Sequence, residues 1–135
     1  MPANECIPFR GPIHAVTGQA TASITGCRFV KVSADRASGP ALNTSGAGST
    51  IKVSHATAAG AIRGVSGYDA ASGAFLPVFD QGTVPVEAGG TIAAGAEVEV
   101  GTNGVAVTLA SGKSVGTCES GATSGQLAQI KLNIA

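Results

Sequence analysis

Turn signals recur through this chain at intervals of roughly 8–12 residues, and that spacing most limits what it can fold into. Ser38-Gly39-Pro40, Ser45-Gly46, Ser72-Gly73, Asp80-Gln81-Gly82, Ala88-Gly89-Gly90, Asn103-Gly104, Ser111-Gly112 and Ser120-Gly121 punctuate it. Short runs with a two-residue period lie between them. Arg28–Ser33, Ile51–Ser54, Glu97–Val100 and Gly104–Leu109 alternate apolar with polar residues. The longest alternation closes the chain: Ile130, Leu132 and Ile134 fall on one face, Gln129, Lys131 and Asn133 on the other. Side chains of a strand point to opposite faces in turn, so these runs read as half-buried strands. Further strands are expected at 16–24, 61–68, 74–79, 83–87 and 114–118. Asn103-Gly104 between two strands predicts a type I′ hairpin, which needs two residues that accept positive φ. No helical stripe is sustained, although one short helix is expected near Ala56–Ala61.

The expectation is therefore an all-β fold, a small β-barrel or β-sandwich-like domain over 13–135. Residues 1–12 hold Pro2, Pro8 and Pro12 and show no period. Proline cannot donate to a ladder, so this stretch reads as an extended N-terminal arm. The Ser/Gly/Ala-rich stretch 34–50 reads as one long loop.

Composition says how such a domain is held together. Ala (24) and Gly (20) fill about a third of the 135 residues, and there is no Trp. Large aliphatic side chains are few. A buried Val, Leu or Ile contributes about 1.5–3 kcal/mol, against an ordering cost of about 1–2 kcal/mol per residue for the backbone alone. Such a core is marginal for a lone monomer, so burial against other subunits or a larger body is expected to complete it.

Charge excludes several classes. Eight Lys+Arg balance eight Asp+Glu, and charged residues are 12% of the chain. Binding to a phosphate backbone needs a basic surplus that releases counterions, so a nucleic-acid partner is not expected. A polybasic membrane contact is excluded on the same ground. No run of about 18 apolar residues suggests a span. The first residues lack the basic start and apolar stretch of a secretory signal.

The residues that carry chemistry are sparse. His14 and His55 have no acidic neighbours in sequence, and a catalytic histidine needs an orienting carboxylate and a nucleophile. Glu97 and Glu99 share a strand face, where a solvated outer position is the expectation. Gly112-Lys113-Ser114 lacks the upstream glycine of a phosphate loop and precedes a strand. Cys6, Cys27 and Cys118 are widely spaced and show no C-x-x-C pattern. They read as buried thiols, with a Cys6–Cys27 or Cys27–Cys118 bridge as the alternative. No enzyme activity, cofactor or metal is expected. The arm segment Pro8-Phe9-Arg10-Gly11-Pro12 reads instead as an interface, because an exposed Phe beside an Arg is typical of a binding hot spot.

From Ile62 onward the order of motifs carries a resemblance. Gly64-Val65-Ser66-Gly67-Tyr68 precedes Gly82-Thr83-Val84-Pro85-Val86, then Ala88-Gly89-Gly90-x-Ile92-Ala93-Ala94-Gly95-x-x-Val98. Ser114-Val115-Gly116-Thr117-Cys118 and Ala128-Gln129-Ile130-Lys131-Leu132 follow. Together with the opening Cys6-Ile7-Pro8, this order resembles the head decoration (capsid cement) proteins of tailed bacteriophages. The Ile92–Gly95 turn also resembles β-clip domains. The resemblance implies a β-clip- or β-tulip-like barrel that forms a homotrimer and binds the major capsid protein. It implies a place on the outer capsid surface of the virion, reached from the host cytoplasm, and a role in stabilising the shell. Ile7, Pro8, Phe9, Arg10 and Pro12 are the residues expected to touch the capsid. A carbohydrate-binding or fibre-like β module of a virion or cell surface is the alternative. A small β-clip enzyme would require acids and histidines to converge in a pocket.

Overall fold

The computed structural model describes residues 10–35 and 50–133, and for 10–13 the backbone alone. Nine strands follow in chain order: β1 (Arg10–Ala20), β2 (Phe29–Ala34), β3 (Ile51–His55), β4 (Gly64–Ser66), β5 (Phe75–Glu87), β6 (Glu97–Val100), β7 (Ala106–Thr108), β8 (Gly116–Ser120) and β9 (Leu127–Leu132). They form one sheet in the order β1-β3-β2-β4-β5-β9-β8-β6-β7, and a further β1–β5 pairing closes the first five into a barrel. Among the described residues, all pairings between two of these strands are antiparallel except β1 with β3, where Gly18 lies opposite Ile51. The all-β expectation holds.

The barrel is narrow, and its filling explains the small residues. Ala20, Ile24, Val30, Ile51, Val53, Ala70, Leu76 and Val78 form its core. A Cβ on Gly18 would sit 3.1 Å from a Val78 methyl and 3.2 Å from a Val53 methyl. Interiors are close-packed, so a five-stranded ring has no room for a larger side chain there. A second cluster, with Phe29, Val84, Val86, Val98, Val100, Cys118, Ala128 and Ile130, lies under β6, β8 and β9. Phe29 belongs to this cluster and Val30 to the barrel, so β2 has a core on each face.

β5 joins the two layers. Its first half pairs with β1 and β4, its second with β9. Leu76 and Val78 face the barrel; Val84 and Val86, of the same parity, face the second cluster. The change of face falls between Phe79 and Thr83, where β5 carries Asp80 as an extra residue against β1 and Gly82 has φ +94°. A bulge bends a strand and re-aims its side chains. The expected turn at Asp80-Gln81-Gly82 is thus a bend inside one 13-residue strand, and the two strands expected on either side of it are one.

Three other expectations change. Thr57–Gly60 forms a turn, closed by the Gly60 N–H on the Thr57 carbonyl, in place of a short helix. Ala59 there has φ +62°, which a helix does not admit. Glu99 is 7% exposed, not solvated, because the 109–115 segment folds over it and the Gly112 N–H donates to its carboxylate. β1 begins at Arg10, so the last residues of the expected arm belong to a strand. Pro12 fits there, because among the described residues only β5 pairs with that end of β1; β3 joins at Gly18. Residues 1–9 and most of the 34–50 loop lie outside the described residues.

The type I′ expectation holds. Asn103 has φ 57° and ψ 33°, Gly104 has φ 80°, and the Val105 N–H returns to the Thr102 carbonyl.

Candidate interaction surface

Of the residues expected to touch a partner, Ile7, Pro8 and Phe9 lie outside the described residues. Arg10 and Pro12 are placed by their backbone on β1, with Arg10 in register with Thr83. The N-terminal segment therefore joins the body beside the bend of β5.

One polar cluster marks this end of the barrel. Asp80 on β5 accepts from His14 on β1 at 2.7 Å and from Nη1 of Arg63, just before β4, at 2.9 Å. Each carboxylate oxygen takes one partner, so a single side chain ties three neighbouring strands. Burial pushes the Asp80 carboxyl upward, but the hydrogen bonds from Arg63 and His14 outweigh it and hold the group below its ordinary value. The ring of His14 is largely exposed. His14 has no acidic neighbour in sequence because its partner stands 66 residues away, in a stretch that reads as a turn.

Arg63 also lines a groove of about 450 Å³ with Lys31, Val32, Thr57, Ala61 and Ile62. The groove exists because β4 is short. The Arg63 N–H bonds the Val30 carbonyl at 2.7 Å, and β2–β4 pairing goes no further than Val30. The chain before Arg63 then turns away through Thr57–Gly60. On the other side of β2, the Phe29 carbonyl takes the Ala56 N–H next to β3. Backbone groups alternate sides along a strand, so Val32 points its N–H and C=O at the groove. Among the described residues no strand pairs with β2 there. The Val32 side chain is 53% exposed. Lys31 reaches over the turn to Thr57 Oγ1 at 2.7 Å.

His55 is structural. The Thr25 N–H donates to its Nε2 at 2.9 Å, while Asp69 takes the Gly26 N–H at 2.8 Å. These contacts pin the β1–β2 connection, where Cys27 adopts φ +60°. Cys27 and Cys118 are buried and not bridged to each other; Cys6 lies outside the described residues. Arg28 spans the two layers, from the Glu87 carboxylate at 3.2 Å to the Asn103 carbonyl at 3.1 Å. Among the described residues no three His, Cys, Asp or Glu side chains group as metal ligands. The surface offers a strand edge, an apolar floor and two cations, which is equipment for binding a polypeptide.

No protein-family model matches the chain, and no curated protein does. Among solved structures it is similar to the N base of the head fiber gp8.5 of bacteriophage phi29. The TM-score is 0.69 and the identity 22%, over 90% of this chain and 94% of that one. At that identity the likeness is one of fold, and it spans nearly the whole of both chains. Sequence reading missed the groove and the Asp80 cluster. The nearest signal for the groove was the pair Gly60 and Gly67, which bracket a strand too short to cover its neighbour.

Proposed function

We propose that this chain is a structural protein of a tailed-phage head, one that sits on the outer surface of the shell as a trimer and stabilises it. The similarity over 90% of its length to the base of a phage head fiber carries this reading. The order of motifs from Gly64 to Leu132 supports it from the sequence side. The thin, Val- and Ala-rich core supports assembly, since a small body gains stability by burying surface against neighbours. A packed shell is loaded outward, and a trimer bridging capsomers adds buried area across the seams that would open first. An interface of about 1,600 Å² suffices for specific binding, and many copies multiply the effect. Residues 2–9 add contacts to the shell.

The experiment is co-sedimentation with heads of its own phage stripped of this protein, paired with light scattering of the free chain. Saturable binding, a trimer mass and heads that retain their DNA at higher temperature are expected. Protein left in the supernatant would overturn the reading. Deleting residues 2–9, which leaves β1 intact, is expected to weaken binding.

A second reading follows from the same neighbour being the base of a fiber. A fibre-like module would bind heads equally well but leave their stability unchanged, so the DNA-retention measurement separates the two.

A further inference from the structure

The groove beside β2 is an unfinished piece of sheet. Val32 presents main-chain groups to it, Ala61 and Ile62 give an apolar floor, and Lys31 and Arg63 stand at its sides. Among the described residues its lining holds two cations and no carboxylate. Asp80 engages Arg63 only through Nη1, from outside that lining. An added strand would continue the sheet past Val30, where β4 stops. Strand addition to an open edge draws affinity from main-chain hydrogen bonds and selectivity from alternate side chains. An aliphatic residue against Ile62 and a carboxylate beside Lys31 would suit this lining.

We propose that this groove accepts an extended, acidic segment of the shell protein, which pairs with the Val32 edge and completes the barrel wall. The inference rests on the head-binding reading and names the segment it captures. None of the described lining residues belongs to the N-terminal segment expected at the shell, so the proposal gives one copy a second grip on its support.

Two variants test it. Val32→Pro removes the N–H that points into the groove and none that β3 uses, so the fold tolerates it. Lys31→Glu reverses the charge beside the floor. Both are compared with the wild-type chain for head binding and thermal unfolding, with hydrogen exchange at the Val32 amide read on and off heads. The expected result is unchanged unfolding, a loss of about tenfold or more in head affinity for each variant, and slowed Val32 exchange in bound wild-type protein. Variants that bind like wild type would overturn the groove proposal and leave head binding standing. Wild-type protein that fails to bind heads would overturn both. A Val32 amide already protected in free protein, and released by deleting residues 2–9, would assign the groove to the chain's own N-terminus and overturn the proposal. If Val32→Pro unfolds, Lys31→Glu and the exchange of the wild-type chain decide alone.

Discussion

The backbone N–H of Thr25 donates to Nε2 of His55 across 30 residues, and this bond fixes the protonation of the ring. A nitrogen that accepts an N–H carries no proton. Burial, foremost, and the nearby Arg28 charge also disfavour the imidazolium, so the pKa lies below the ordinary 6.5. The unfolded chain thus binds a proton more readily than the folded one. Stability from this site is complete above pH 6.5 and declines as pH falls from there through the lowered value. Urea midpoints measured between about pH 7.5 and 5 are expected to fall, and the fall is expected to shrink in His55→Gln. A flat profile in the wild-type chain would remove this account of His55.

Asp80 gives a second, more acidic limb. Its carboxyl is held below 3.8, so the unfolded chain again binds the proton first. The stabilisation is present above that value and is lost as pH falls through the lowered one. Asp80→Asn is expected to abolish this limb and to cost about 1–3 kcal/mol at neutral pH, by removing the negative charge and one of the two oxygens that Arg63 and His14 engage. Chemical denaturation at neutral and acid pH measures both effects.

Gly104 holds the β6–β7 hairpin against the barrel. Its φ is +80°, and a Cβ there would run into the Phe29 carbonyl oxygen. Gly104→Ala combines backbone strain with that collision, and a loss of at least about 2 kcal/mol is expected. Asn103→Gly changes a residue at φ 57° to one that accepts it freely and is expected to be nearly neutral. Thermal unfolding of the two variants side by side checks the contrast.

The sequence shows its strands clearly where one face meets a core and the other meets solvent, as at Ala128, Ile130 and Leu132 in β9. The Asn103-Gly104 turn was legible because few residue pairs accept positive φ twice. The barrel's closure was not. It depends on β1 pairing in parallel with β3 and antiparallel with β5, and such distant partners leave no local signature. β5 misled for a physical reason: Asp80-Gln81-Gly82 has the chemistry of a turn, yet the chain spends it on a bend that moves one strand between two cores. Glu99 misled because alternation predicts facing, not whether a loop later covers that face. The candidate surface arises from an absence, the early end of β4, which composition and period do not encode.

The central claim is attachment to the outside of a phage head. A cryo-electron microscopy reconstruction of stripped heads saturated with this protein tests it most directly. The account predicts a nine-stranded body on the outer shell at three-fold or quasi-three-fold positions, three copies at each. A bare shell at saturating protein would contradict it.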